Sequence, residues 1–295
     1  MFRFGVAFGA VSTAIVHSAD GTPIRAWCND GTGPPVLICN GLGAPPEAWP
    51  RLTAEDSGYR VVSWSYRGLG GSGRPVDPDR VRVEDHTDDA RAVLDAFGID
   101  SAAVVGWSLG VNVAFELALE DPERVTGILA VAGVPGGSYS SLFATYGVPR
   151  RLRAPMGRLS SRLLPAIGPL LPVLLASVPP WQELLRPAAT RGPAREAAHP
   201  GALGDVLREF SRHDWTWYRH LSVAVADHAP LDVSGVACPV TFVAGRFDSL
   251  VDFADMRRAS RTVPQARFRM LMGTHFLPLQ YPDVMLEELR PLVVG

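Results

Sequence analysis

Cysteine is scarce in this sequence of 295 residues, and the three cysteines, Cys28, Cys39 and Cys238, are widely spaced. Each of them lies in or beside an apolar, strand-like run, and no CxxC pair is present. A disulfide framework or a structural zinc site needs more thiols, or thiols at closer spacing. We therefore expect three small, reduced side chains packed as hydrophobes, as in a protein of a reducing compartment.

Long unbroken apolar segments are also absent. The longest apolar run, residues 163–178, contains three prolines. It is shorter than the roughly 20 residues that a membrane-spanning helix needs, and proline interrupts the helical hydrogen bonds. The apolar segment 1–16 has a single arginine and no convincing cleavage site, which argues against a signal peptide. These features predict no transmembrane helix and a cytoplasmic protein.

Neither sign of charge is in large excess, because 28 basic residues stand against 30 acidic ones and the net charge is −2. This balance gives no sign of a nucleic-acid partner, although it leaves local patches open. Hydrophobic residues make up 47% of the chain, and glycine (29) and proline (26) are both frequent. Such a composition is typical of a globular protein with many short connections between strands and helices.

Short apolar runs alternate with helical patterns along most of the chain. The predicted strands cover residues 12–17, 23–28, 35–39, 59–65, 102–107, 125–134, 239–244 and 267–271, and the predicted helices cover 83–97, 109–119, 254–262 and 282–292. The alternation indicates an α/β fold, with a mostly parallel eight-stranded sheet flanked by helices. It stops between residues 135 and 228, which are rich in Leu, Pro, Ala and Arg. We predict that this stretch is a helical insertion after the sixth strand.

A Gly-x-Ser-x-Gly pattern at residues 106–110 follows a predicted strand directly and opens a predicted helix. A strand that turns sharply into a helix needs glycine on both sides of the turn, here Gly106 and Gly110. The turn exposes the central residue, Ser108, above the sheet. The pattern alone also arises by chance, as a glycine-rich turn with an incidental serine, but its strand–turn–helix setting favours Ser108 as a nucleophile.

A serine hydroxyl needs a base to accept its proton, and the base needs a group that fixes its tautomer. His275, just after the last predicted strand, is the candidate base. Asp248 follows the strand 239–244 in the same way and is the candidate acid. Asp252 is its main competitor, and a helix-capping role is the alternative for Asp248. Because ligands bind at the carboxyl ends of parallel strands, we expect Ser108, Asp248 and His275 to converge.

A tetrahedral intermediate also needs N–H donors for its oxyanion. Leu109 follows the nucleophile, and its amide opens a helix whose dipole favours negative charge. The loop after the third predicted strand contains Asn40, Gly41, Leu42 and Gly43. Its two glycines permit the amide of Leu42 to point at the site as the second donor. An ordinary glycine turn is the alternative interpretation of this loop.

Together these residues resemble the α/β-hydrolase superfamily. The resemblance extends over the hairpin at 20–21, the 40–43 loop, the glycine-rich segment 67–72, the 106–110 turn and the loops of the candidate acid and base. It departs at Asn40, where the family commonly has histidine, and at Ser65 and Tyr66, where it often has aspartate before Arg-Gly. Neither position is catalytic in the family, so the departures concern the subfamily and leave the candidate triad intact.

The resemblance implies that residues 135–228 form a cap, or lid, over a core made of residues 1–134 and 229–295. It implies hydrolysis of a small carboxylic ester or thioester with an apolar acyl group, through an acyl-enzyme, with no metal and no organic cofactor. Carbon–carbon bond hydrolysis and cofactor-free perhydrolysis, the haloperoxidase reaction, stay open on the same triad. A non-catalytic small-molecule receptor is the alternative from another class. Epoxide hydrolases and dehalogenases of the superfamily carry aspartate where this chain has Ser108.

Arginine is in excess in the implied cap, with 11 arginines against six acidic residues between positions 137 and 228. Five of the arginines precede the leucine-rich run: Arg150, Arg151, Arg153, Arg158 and Arg162. One hypothesis is that this segment receives a fatty acyl chain or touches an anionic lipid surface. The alternative is a set of helices packed on the core, with arginines facing solvent. The oligomeric state is not predicted.

Overall fold

Within the described part of the chain, eight strands form one central sheet. The computed structural model describes residues 11–168, 206 and 208–293. The strands are β1 (Ser12–His17), β2 (Pro23–Cys28), β3 (Pro35–Cys39), β4 (Arg60–Trp64), β5 (Ala102–Trp107), β6 (Val125–Val131), β7 (Val240–Gly245) and β8 (Arg267–Leu271). Their spatial order is β1-β2-β4-β3-β5-β6-β7-β8. Only β2 pairs antiparallel, with β1 and β4, so the predicted mostly parallel eight-stranded sheet is confirmed.

Helices flank this sheet, also as predicted. They are α1 (Val83–Ala96), α2 (Gly110–Glu120), α3 (Arg150–Ile167), α4 (Trp215–Asp227), α5 (Phe253–Ser260), α6 (Leu277–Gln280) and α7 (Pro282–Val293). The short helix α6 is absent from the sequence prediction. The sixth strand ends at Val131 and not at residue 134, because Ala132 turns the backbone into the left-handed region, with φ of 46°. None of the described helices is long and apolar enough to cross a membrane.

The central strands are buried on both faces, which explains their continuous apolar sequences. All six residues of β5 and all six of β7 are buried. One side of the sheet packs around Phe115 and Phe242, whose ring centroids are 5.7 Å apart. The other side packs around Trp49 and Trp107, 6.1 Å apart and perpendicular. Cys28 and Cys39 are buried in these layers as free thiols.

The insertion, residues 135–228, contributes α3, α4 and short 3-10 turns, and its described residues include no strand. Asp214 starts α4, because its side chain accepts hydrogen bonds from the amides of Thr216 (2.9 Å) and Trp217 (3.2 Å). The indole of Trp217 then donates to the carbonyl of Arg67 in the core at 2.8 Å. Most of the apolar run 163–178 lies outside the described residues. The division of the chain into a core and a cap stays a prediction.

The glycine-rich segment 67–72 is held by a buried ion-pair network. Arg67 is fully buried, and its guanidinium contacts Asp89 at 2.8 Å and Asp20 at 2.6 Å. Its Nη2 also donates to Ser18 Oγ at 3.0 Å. Burial disfavours the charged form of Asp89, but hydrogen bonds from His86 and Arg67 outweigh this, so the pKa of Asp89 is lowered.

Removing one partner of this network is expected to destabilise the fold strongly. Asp89→Ala leaves the Arg67 charge without its main partner in the core, and we expect the free energy of unfolding to fall by about 3–5 kcal/mol. Asp88→Ala is the matched control, because Asp88 pairs with Arg91 at 2.8 Å near the surface, where such a pair contributes at most about 1 kcal/mol. Urea unfolding measures the free energy of unfolding of both variants, and an equal decrease in the two would contradict the prediction.

Candidate active site

Ser108 stands on a strained turn between β5 and α2. Its φ of 56° lies in the left-handed region, which few residues other than glycine adopt. The turn leaves no room for side chains on either side. A Cβ at Gly106 would lie 2.8 Å from the carbonyl oxygen of Gly110, and a Cβ at Gly110 would lie 1.8 Å from that of Cys39. The backbone therefore has the geometry that a nucleophile elbow requires.

His275 and Asp248 are in direct contact, as the sequence analysis predicts. Nδ1 of His275 lies 2.9 Å from Oδ2 of Asp248, and both residues are buried. The other carboxylate oxygen, Oδ1, accepts hydrogen bonds from the amides of Leu250 (2.8 Å) and Val251 (2.9 Å), so the Asp248 side chain is held in one orientation. Asp252, the competing acid, instead caps α5 by accepting a hydrogen bond from the amide of Ala254 at 3.1 Å.

Trp107 connects the elbow to the loop of the candidate base, and sequence reasoning missed this role. Its indole nitrogen donates to the carbonyl oxygen of His275 at 3.0 Å, and the two rings lie 5.9 Å apart. Because Trp107 directly precedes Ser108, this hydrogen bond places the His275 loop beside the elbow. Trp107 occupies a variable position of the Gly-x-Ser-x-Gly pattern, and nothing in the pattern signals a contact 168 residues along the chain.

The candidate oxyanion loop is organised by Asn40. Its Oδ1 accepts hydrogen bonds from the Gly41 amide and from the indole of Trp49, each at 3.0 Å. Its Nδ2 donates to the carbonyl of Ala44 at 2.9 Å, which closes the loop. The hydroxyl of Tyr66 donates to the Asn40 carbonyl at 2.7 Å. The side chain of Asn40 therefore braces the backbone around Leu42 and is itself 2% exposed.

The two candidate oxyanion donors belong to backbones that touch. Leu109 has helical dihedrals (φ −51°, ψ −42°) and begins the first turn of α2, where backbone amides lack helical partners. Leu42 lies in the loop after β3, and the close approach of Gly110 to Cys39 brings that loop against the elbow. This adjacency is what two amides converging on one oxyanion require.

Two side chains of the insertion bind the carbonyls of the candidate oxyanion loop. Nε2 of His213 lies 2.9 Å from the carbonyl oxygen of Gly43, and the hydroxyl of Tyr218 donates to that of Leu42 at 3.3 Å. The two rings stack, with centroids 5.9 Å apart, and Phe210 packs edge-on against both. The insertion therefore holds the loop that carries the Leu42 amide.

A model of the family described as alpha/beta hydrolase fold matches residues 34–282, a range that includes the elbow, Asp248 and His275. The chain belongs to this family.

Named relatives match shorter stretches of this α/β hydrolase. A putative carbamate hydrolase RutD from Azorhizobium caulinodans is 38% identical over 104 residues, which are 35% of this chain and 38% of the relative. Epoxide hydrolase B from Mycobacterium tuberculosis is 31% identical over 138 residues, 40% of this chain and 37% of the relative. The chain thus spans less than two fifths of the length of these relatives.

Solved structures match nearly the whole α/β hydrolase chain. An esterase from Exiguobacterium antarcticum superposes with a TM-score of 0.73 at 17% identity, covering 96% of this chain and 100% of that one. A bromoperoxidase from Bacillus anthracis superposes with a TM-score of 0.71 at 18% identity, covering 96% and 100%. At such low identity the likeness shows the fold alone.

The pKa of His213 is lowered below its ordinary value of 6.5, mainly because burial disfavours the charged imidazolium. The hydrogen bond to Gly43 and the charge of Glu209 oppose this shift without reversing it. A neutral imidazole with its proton on Nε2 satisfies the Gly43 carbonyl. The folded α/β hydrolase therefore favours neutral His213 next to its candidate oxyanion loop.

This shift predicts a pH-dependent stability. As the pH falls through about 6.5, the unfolded chain takes up a proton that folded His213 resists, so the stabilisation is complete above that pH and is lost below it. We expect His213→Gln to lower the urea midpoint more at about pH 8 than at about pH 5.5. Val76→Gln, at a fully exposed position without a titratable side chain, is the control and should show no such difference. A pH-independent effect of His213→Gln would contradict the assignment.

A second cluster of polar side chains lies away from the triad. Glu84 of α1, Glu116 of α2 and His228 after α4 bring ligand atoms within 4.8 Å of one another. Nε2 of His228 lies 2.8 Å from Oε1 of Glu116, so these two already form a pair that ties the end of the insertion to α2. Glu84 is exposed. The residue types of this cluster could hold a divalent cation.

Proposed function

We propose that this protein is a serine hydrolase that cleaves a carboxylic ester or thioester through an acyl-enzyme on Ser108. The observation that carries the proposal is the buried 2.9 Å contact between His275 and Asp248. Trp107 ties the loop of His275 to the strained turn that carries Ser108. A base oriented by a fixed carboxylate, on a loop tied to the turn of a half-buried serine, is the arrangement that activates a hydroxyl nucleophile.

The residues divide the reaction into two acyl transfers. Since Nδ1 of His275 faces Asp248, Nε2 accepts the proton of Ser108 as its oxygen attacks the carbonyl carbon. The amides of Leu42 and Leu109 stabilise the oxyanion, and His275 returns the proton to the leaving alcohol or thiol. A water molecule then attacks the acyl carbon while His275 accepts a proton from it. His275 returns that proton to Oγ of Ser108 as the bond between the acyl carbon and Oγ breaks, and the carboxylic acid is released.

The relatives bear on the bond that is cleaved. The partial match to a carbamate hydrolase supports attack at a carbonyl carbon, and we include carbamates in the substrate series. The partial match to an epoxide hydrolase does not make epoxide opening the expected reaction. An epoxide-opening relative is expected to carry aspartate as its nucleophile, whereas this elbow carries Ser108. We still expect the substrate to carry an apolar acyl group.

A fluorophosphonate probe tests the proposal directly. We expect it to label the purified protein, and we expect Ser108→Ala to abolish the label because the phosphonylated oxygen is gone. Ser12→Ala, an exposed serine on β1, is the matched control and should be labelled like the wild type. A series of p-nitrophenyl esters of increasing acyl length, with an aryl carbamate added, then measures turnover and chain-length preference.

The outcomes separate the alternatives. Labelling at Ser108 with ester turnover supports the proposal. Labelling without turnover of any ester or carbamate would favour carbon–carbon hydrolysis, perhydrolysis or a small-molecule receptor over ester cleavage. The absence of labelling would show that Ser108 is not activated, and the proposal would be wrong.

A further inference from the structure

The outer face of α3 carries a stripe of exposed apolar side chains. Its members have exposed fractions from 41% to 59%: Leu152, Met156, Leu159, Leu163 and Ile167. With about 3.6 residues per turn, their spacing of four, three, four and four residues places them within an arc of about 80° around the helix axis. Contiguous exposed apolar surface of this kind marks a site of interaction with an apolar partner.

The orientation of α3 is fixed by its opposite face. Gly157 packs against Tyr139 and Leu142, where a Cβ would come within 2.7 Å of either side chain. Oγ of Ser161 lies 2.6 Å from the hydroxyl of Tyr139, which also bonds Ser222 of α4. Small, buried residues therefore seat α3 on the rest of the insertion and direct the apolar stripe outward.

All charged side chains of α3 are positive, because the helix contains five arginines and no acidic residue. Arg153 pairs with Asp255 at 3.2 Å, and Arg158 pairs with Asp227 at 3.1 Å. The other three are exposed and make no ion pair among the residues that the structure describes: Arg150, Arg151 and Arg162. At 3.6 residues per turn, the last two lie on one flank of the stripe, about 100–120° from its centre.

We propose that α3 docks on an anionic lipid surface, lying in the plane of the interface. The helix has 18 residues and is about 27 Å long, and its apolar stripe would enter the boundary between headgroups and acyl chains, with the flanking arginines on lipid phosphates. The arginines of α3 that form no ion pair within the described part of the chain decide between occupants. A second copy of the chain, paired through the same face, would bring like charges together, whereas an anionic bilayer complements them.

Vesicle binding of the full chain tests this inference. We expect co-sedimentation with vesicles of phosphatidylcholine and phosphatidylglycerol at low salt, weakening as salt rises, and much weaker binding to phosphatidylcholine alone. Replacing Arg151 and Arg162 together by Gln should lower the partition constant about 25-fold, at about fivefold for each arginine near an anionic surface. The double change Leu159→Gln with Leu163→Gln should lower it at least about tenfold.

Matched controls come from exposed residues outside α3. Val76→Gln removes an exposed apolar side chain, and Arg261→Gln removes an exposed charge, and both should bind vesicles like the wild type. The Ser108→Ala protein should also bind normally, so that failure of the hydrolase proposal and failure of this one are distinguishable.

Three results would overturn the proposal. The first is the absence of binding to anionic vesicles at low salt. The second is binding that the α3 variants and the controls change equally. The third is a concentration-dependent dimer, seen by light scattering, that the Leu159 and Leu163 changes dissociate without any vesicle binding, which would assign the stripe to a second copy. Thermal melting of each variant confirms that the fold is retained.

Discussion

Asp248→Asn is expected to lower kcat for an ester substrate by about 10,000-fold, with little change in KM. The reason lies in the two amides that bind Oδ1 of Asp248. Leu250 and Val251 donate to that oxygen, so an asparagine keeps its carbonyl oxygen there and turns its amide group toward His275. An amide N–H facing Nδ1 favours the tautomer with the proton on Nε2. That tautomer cannot accept the proton of Ser108, and the nucleophile is not activated.

Asp252→Asn is the matched control for this experiment. Asp252 lies four residues further along the same loop and caps α5, and asparagine is as good a helix cap as aspartate. We expect its kcat to stay within about threefold of the wild type, since its side chain has no part in the proton relay. Steady-state kinetics on one p-nitrophenyl ester, with thermal melting to confirm folding, measures both variants. A large loss in Asp252→Asn together with a small loss in Asp248→Asn would reverse the assignment of the orienting acid.

The sheet and the contact between Asp248 and His275 could be predicted from the sequence because both depend on local patterns. Continuous apolar runs identify strands buried on both faces, and the residues that follow such strands necessarily lie at one edge of a parallel sheet. Ser108 and Asp248 come within a few residues of the ends of β5 and β7, and His275 follows β8 in the same way. The sequence favours Asp248 over Asp252 by position alone, because an aspartate at either position suits both an orienting acid and a helix cap. The coordinates add that Asp248 contacts His275, whereas Asp252 accepts from the amide of Ala254.

The side chains that support the site could not be predicted, because their contacts join distant parts of the chain. His213 and Tyr218 reach the oxyanion loop across more than 150 residues and come from a stretch with no strand pattern. Trp107 likewise bonds a main-chain carbonyl, which accepts from any donor regardless of sequence. The predicted end of β6 was also wrong, because a single residue determines it. The positive φ of Ala132 ends the strand three residues before the predicted end.

Gly43→Ala is expected to lower kcat by about 100- to 1,000-fold, the usual loss when one oxyanion donor is displaced. A Cβ at this position would lie 2.5 Å from Nε2 and 2.9 Å from Cδ2 of His213. His213 cannot simply move away, because its ring stacks on Tyr218 and packs against Phe210. The loop is therefore displaced instead, and with it the amide of Leu42, which precedes Gly43 directly.

A substitution at a second glycine distinguishes the effect of this collision from the effect of backbone strain. Gly58 has φ of 78°, against 75° for Gly43, and a Cβ there would meet nothing within 4 Å. Gly58→Ala therefore carries the same left-handed strain, about 1 kcal/mol of stability, without any collision at the oxyanion loop. We expect it to melt earlier and to keep its kcat. Tyr218→Phe removes only the hydroxyl that donates to Leu42, so we expect a loss of about tenfold or less in kcat. If Gly43→Ala and Gly58→Ala lose activity equally, the insertion does not position the oxyanion loop, because strain alone would then explain both losses.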